Sequence, residues 1–131
     1  MNSACVLDAS ALLALVLSEP GQSVVRELGE DGLISAVNFS ETLAKLEERG
    51  VDESVAVDML NLLDLTIVPF DRAQAVATAR LRKQTRSRGL SFADRACLAL
   101  AAVHQSRVLT ADREWQALDL DVEIILIRDD R

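Results

Sequence analysis

The chain is poor in aromatic residues, with three Phe, one Trp and no Tyr among 131 positions. Its core must therefore be built from Leu, Val, Ile and Ala. Histidine is nearly absent as well, and the single one, His104, excludes a metal-free ribonuclease that works with two imidazoles. His104 itself reads as a solvent-facing residue near a helix end. The two cysteines, Cys5 and Cys97, form no CxxC pattern, so a structural zinc site is excluded. Both lie in apolar sequence and read as reduced core thiols. There is no repeat, no low-complexity tract and no Pro/Gly/Ser linker. No apolar run approaches the roughly 18–20 residues that span a bilayer. The N-terminus lacks the basic flank and small-residue cleavage site of a secretory signal. The expectation is a single domain over 1–131, cytoplasmic and with no membrane contact.

What is present suits an ordinary globular domain, half hydrophobic and 27% charged. A net charge of −7 argues against indiscriminate nucleic-acid binding, which needs Lys and Arg at phosphates. The charge is unevenly spread, however. Arg80, Arg82, Lys83, Arg86 and Arg88 fall in a nine-residue stretch without an acid. Such residues near a helix C-terminus complement its dipole and are often only solvated. Contact with RNA phosphates is the other reading.

Five short runs have strand character: 4–7, 32–35 (the weakest), 65–68, 107–109 and 122–127, with Val and Ile recurring in them. Helical patterns fill the intervals at 10–17, after Pro20-Gly21, at 38–49, 53–63, 71–88, 91–105 and 112–118. The segment over 91–105 is apolar nearly all round and so buried on most sides. Strands alternating with helices imply a parallel sheet covered on both faces. Ligands of such sheets bind beyond the carboxyl ends of the strands.

The acids at those strand ends are the informative feature. Asp8 directly follows the first strand, and Asp112 follows the fourth after Thr110 and Ala111. Glu41 is expected in the first turn of the helix after the second strand, and Asp94 in the first turn of the apolar helix. Each has a plain alternative. Ser91-Phe92-Ala93-Asp94 fits a capping box and Asn38-Phe39-Ser40-Glu41 a variant of one, and Asp8 and Asp112 suit N-caps. Capping does not require all four to gather on one sheet edge. Gathered carboxylates repel one another unless a cation is present. A hard divalent ion takes oxygen ligands and retains waters. The chemistry that follows is phosphoryl transfer or phosphodiester hydrolysis by metal-activated water.

These residues also carry a resemblance. The chain resembles the PIN-domain nucleases, and more closely the VapC-type toxins of toxin–antitoxin pairs. The matching segments are Val6-Leu7-Asp8-Ala9-Ser10, Ile34 to Asn38 leading to Glu41, Gly89-Leu90-Ser91-Phe92-Ala93-Asp94-Arg95, and Val108-Leu109-Thr110-Ala111-Asp112-Arg113. One departure is Ala93, where a Gly is common. The resemblance implies a three-layer α/β/α fold with a mostly parallel five-stranded sheet. It implies Asp8, Glu41, Asp94 and Asp112 as the acidic site, with Asp8, Asp94 and Asp112 on Mg²⁺ or Mn²⁺. Ser10, Asn38 and Thr110 stand where polar neighbours orient those acids. RNA as substrate, a homodimer and a cognate antitoxin that blocks the site are implied too. Arg95 and Arg113 follow catalytic candidates and, with Arg86 and Arg88, are candidate RNA-phosphate contacts. Either of the first two could instead pair with a neighbouring acid. An apolar stripe at Leu13, Val16 and Leu17 would either meet the antitoxin or pack within the domain or the dimer.

Three other functions fit in outline. A phosphatase or phosphotransferase using Asp8 as nucleophile wants a second Asp two residues on, where this chain has Ser10. A phospho-receiver wants an acidic pair at the end of the first strand, and Asp8 has no acidic neighbour. In a non-catalytic protein-binding module all four acids would be caps.

Overall fold

A computed structural model describes residues 4–128. Strand β1 (Cys5–Leu7) leads into α1 (Ala9–Leu17) and α2 (Gln22–Leu28); β2 (Leu33–Ser35) is followed by α3 (Ala36–Glu48) and α4 (Glu53–Asn61). Then come β3 (Thr66–Val68), α5 (Arg72–Thr85), a 3-10 turn (Arg86–Arg88), α6 (Phe92–His104), β4 (Arg107–Thr110), a second 3-10 segment (Arg113–Ala117) and β5 (Ile124–Leu126). The strands form one sheet in the order β3-β2-β1-β4-β5, and every neighbouring pair is parallel.

Strand β1 is central and buried on both sides, as a parallel strand covered by two helical layers must be. Its side chains alternate. Val6, with Val108 of β4, faces Cys97, Leu98, Leu100 and Ala101 of α6. Cys5 and Leu7, with Leu109 of β4, face Ala11 and Ala14 of α1 and Val25 of α2. This is the three-layer α/β/α arrangement that was expected. A third apolar cluster joins Leu12 and Leu13 of α1 to Ile34, Leu46, Ala56 and Leu60. Val16 and Leu17 pack against that cluster, so the apolar stripe of α1 is turned to the domain's own α3 and α4. Cys5 and Cys97 are buried thiols not joined in a disulfide, and Trp115 is buried under α6. Among the described residues no helix is long and apolar enough to cross a membrane.

Several boundaries differ from the sequence reading. Helix α3 begins at Ala36, capped by the Ser35 hydroxyl, which accepts from Val37 N–H at 3.1 Å. Glu41 therefore lies in the second turn, and the 38–41 capping box is not formed. The helix expected over 71–88 is α only to Thr85 and tightens to 3-10 over Arg86–Arg88, ahead of Gly89 in the left-handed region. The segment expected as a short helix at 112–118 is 3-10 over Arg113–Ala117.

The chain runs outward from β1 to β3 and then crosses back to β4, so strand order reverses between β1 and β4. At such a reversal the two connections leave in opposite directions and open a crevice at the carboxyl edge. Asp8 and Asp112 follow the two strands that flank it.

The turn into β2 is packed to the backbone. A Cβ on Gly32 would stand 2.8 Å from the Gly29 carbonyl oxygen and 3.0 Å from that of Cys5. Gly32→Ala should cost about 1–3 kcal/mol through this overpacking, read as a lower urea midpoint with unchanged m-value. An unchanged midpoint would show that β2 docks on β1 without the close approach.

Candidate active site

Asp8 caps α1, its Oδ1 accepting from Ala11 N–H at 2.9 Å. The Ser10 hydroxyl donates to the same oxygen at 2.7 Å, and the Thr110 hydroxyl donates to Oδ2 at 2.6 Å. Asp8 is 6% exposed. Burial pushes its carboxyl from the ordinary 3.8 up to about 6, the hydrogen bonds from Thr110, Ser10 and Ala11 pull it down, and the charge of Asp94 pushes it up again. No cationic side chain pairs with it among the described residues.

The same two hydroxyls reach the far side of the crevice. Ser10 Oγ accepts from Ala111 N–H at 2.9 Å, and Thr110 Oγ1 accepts from Asp112 N–H at 3.0 Å. Asp112 is thereby fixed at the rim beside Asp8. Its own carboxylate is exposed and caps the 3-10 segment, accepting from Glu114 N–H at 3.0 Å.

Asp94 and Ser91 form the reciprocal capping box read from the sequence, each bond 3.1 Å. Asn38, buried in α3, links this helix to Glu41: its Nδ2 donates to Ala93 O at 3.1 Å and more weakly to Glu41 Oε1 at 3.4 Å. The other Glu41 oxygen lies 4.0 Å from Lys45 Nζ, a neighbour that the sequence reading passed over although i,i+4 spacing announces it. Asn38 Oδ1 is buried with no partner. Beneath these groups lies Cys97, whose thiol is raised well above its ordinary value by burial first and then by the charges of Asp8, Asp94 and Glu41. The charges of Asp8, Asp94 and Glu41 are thus all felt at one buried sulfur, while Asp112 stands at the rim.

The arginines divide. Arg95 turns back onto α5, donating from Nη1 to Thr78 O at 3.2 Å, with its guanidinium 5.9 Å from the Phe92 ring centre. It braces α5 against α6 and does not pair with an acid. Arg86 and Arg88 are exposed on the 3-10 turn, as are Arg80, Arg82 and Lys83 on α5. Arg113 is exposed beside Asp112. His104 is exposed at the end of α6.

Sequence comparison matches residues 5–120 to the PIN domain family. The chain belongs to the PIN domain family. Members of this family are nucleases and generally use divalent metal ions. No curated protein matches the sequence closely. Among solved structures, DNA-bound VapBC from Salmonella typhimurium superposes with a TM-score of 0.76 at 16% identity, covering 96% of this chain and 99% of that one. A toxin–antitoxin complex from Klebsiella pneumoniae gives 0.75 at 13% identity over 97% and 100%. VapC20 from Mycobacterium tuberculosis, described as a sarcin-ricin loop cleaving toxin, gives 0.72 at 14% over 92% and 99%. At these identities the likeness is one of fold.

The PIN site fits a hard divalent cation by its chemistry. Its donors are carboxylate and amide oxygens, Asp8 is charged without a cationic partner, and Asn38 Oδ1 is unpartnered. Among the described residues no three His, Cys, Asp or Glu side chains stand close enough to enclose a metal ion. The arrangement suits an ion that takes one or two carboxylates and keeps its waters, as Mg²⁺ does.

The raised Asp8 carboxyl has a definite stability signature. The folded state binds this proton more tightly than the unfolded chain does. Its contribution is full below about pH 4 and is lost as pH climbs through about 6, where the folded-state carboxyl is half ionised. Asp8→Asn removes the penalty. In metal-free buffer its stability relative to the parent should rise by on the order of 2–3 kcal/mol between about pH 4 and pH 7, measured by urea unfolding at both values. A gap that stays constant with pH would mean that Asp8 titrates normally in the fold.

Proposed function

We propose that this chain is a metal-dependent endoribonuclease, the toxin member of a type II toxin–antitoxin pair. The observation that carries the reading is the buried, cation-free carboxylate of Asp8 at the strand-order reversal of a PIN domain, with Asp94 close enough to act on it. The likeness in fold to a toxin–antitoxin complex and to a sarcin-ricin loop cleaving toxin supports the substrate and the partner.

In this reading Asp8 and Asp94 would hold Mg²⁺ or Mn²⁺, and Asp112 at the rim and Glu41 complete the acidic set. The bound ion supplies charge neutralisation at the phosphodiester and activation of the attacking water. Ser10 and Thr110 fix both oxygens of Asp8, so the carboxylate cannot rotate away from the crevice. Asn38 sets Glu41 against the backbone just before Asp94. Glu41, whose side chain is 30% exposed, would take a proton from water. Arg86, Arg88 and Arg113 are exposed and meet phosphates, whereas Arg95 is committed to α5. A homodimer and an antitoxin that covers the site complete the proposal.

The phosphotransferase alternative gains nothing from the geometry. Ser10 stands where its acid/base Asp would be, and it donates to Asp8. The capping alternative is compatible with the nuclease reading, since Asp8, Asp94 and Asp112 all cap helical segments and still stand at one edge.

Purified protein should cleave RNA only with Mg²⁺ or Mn²⁺ and leave 5′-phosphate and 3′-hydroxyl ends. Asp8→Asn and Asp94→Asn should each lower the rate by roughly a hundredfold or more while remaining folded. Products ending in a 2′,3′-cyclic phosphate would identify the ribose hydroxyl as nucleophile and reject the mechanism, and near-full activity in either variant would reject the site.

Arg86→Glu with Arg88→Glu should weaken RNA binding and flatten its salt dependence, each lost phosphate contact removing about 0.7 from the log–log slope for single strands. An unchanged slope would leave these residues as a solvated helix end.

A further inference from the structure

We propose that Phe92, backed by Phe70 and Arg95, is a stacking platform for an unpaired nucleobase at the edge of the acidic site. The inference rests on the nuclease reading and deepens it by naming the substrate as single-stranded or looped RNA. In a chain with only four aromatic residues, two of them are placed together beside Asp94. Phe70 follows β3 at the carboxyl edge of the sheet, and its ring meets that of Phe92 edge-on, with centroids 5.5 Å apart and planes at 81°. The Arg95 guanidinium lies 5.9 Å from the Phe92 centroid and is tethered to Thr78 O. Despite these neighbours Phe92 is 50% exposed. Trp115, by contrast, is 1% exposed.

The platform is rigid where it matters. Phe92 is the first residue of α6, between the two partners of the capping box. Ser91 and Asp94 fix its backbone, and the same bonds fix the Asp94 carboxylate. A base resting on Phe92 is therefore held in register with the acid two residues on. Every base has a π-face, so stacking on an aromatic ring tolerates sequence but demands that the base be unpaired. Single-strand sites combine such rings with a cationic track along the backbone. Arg86 and Arg88 provide that track four to six residues before Phe92, exposed and unpaired with acids among the described residues. The complementarity is double, ring to base and guanidinium to phosphate. It favours RNA over a protein surface as the occupant.

The test is equilibrium binding of a short unpaired RNA carrying 2-aminopurine to the full chain in EDTA, which prevents cleavage. Phe92→Leu keeps an apolar residue at the helix start and should weaken binding about tenfold, while Phe92→Tyr should bind like the parent. Replacing the stacked base by an abasic site should weaken the parent about equally and leave Phe92→Leu unchanged. Equal binding by parent and Phe92→Leu overturns the platform. So does a change of sedimentation without base dependence, which would make Phe92 a protein contact. Cleavage with Mn²⁺, followed in parallel, separates the two claims. Cleavage by the parent with no effect at Phe92 sinks only the platform, and base-dependent binding without cleavage sinks only the nuclease.

Discussion

One buried carboxylate without a cation organises this molecule. Removing a charged group from water costs several kcal/mol even after relaxation, and Asp8 sits at the end of the most enclosed strand of the sheet. The cost is partly offset by two hydroxyls and one backbone N–H, and those donors come from α1, which follows β1, and from the end of β4, on the two sides of the reversal of order. Ser10 belongs to α1, and Thr110 ends β4. The same hydroxyls then accept from Ala111 and Asp112 N–H. The network that satisfies Asp8 thus also sets the start of α1 and the course of the loop carrying Asp112.

The remaining architecture follows from keeping that carboxylate at a crevice and not in the core. The apolar residues of α6 from Ala96 to Ala101 cover one face of the sheet and place Cys97 below the acids. Asn38 bridges α3 to α6 at the residue before Asp94. Helix α5 is different: its buried residues are Gln74, Thr78 and Thr85, Leu81 packs against the apolar cluster of α6, and Arg95 of α6 donates to Thr78 O. The outer face of α5 carries the exposed Arg80, Arg82 and Lys83.

Much of this was legible in the sequence because local chemistry and burial agree. Cys5-Val6-Leu7 reads as a buried strand, and the strand-then-acid pattern at Asp8 placed it at the carboxyl edge. The box at Ser91–Asp94 formed as its spacing demands. The box at 38–41 did not, because β2 passes into α3 with no intervening loop and Ser35 caps the helix from the strand's last position. Ala36 and Val37 gave no sign of the change from strand to helix. The placement of Arg95 was not legible. Its partner, the Thr78 carbonyl, is seventeen residues away, and backbone acceptors leave no mark on composition. The rings of Phe70, just after β3, and Phe92, at the start of α6, likewise meet only in the folded chain. The packing of Leu13, Val16 and Leu17 inside the domain depended on α3 and α4 folding back over α1, which no periodicity within α1 could reveal.

The central claim is that the charge on Asp8 is completed by a divalent cation. The most direct measurement is a calorimetric Mn²⁺ titration of metal-stripped protein near pH 7.5, set beside Asp8→Asn. The account predicts saturable binding by the parent and a loss of at least about tenfold in affinity in the variant. Equal binding isotherms for the two would contradict it.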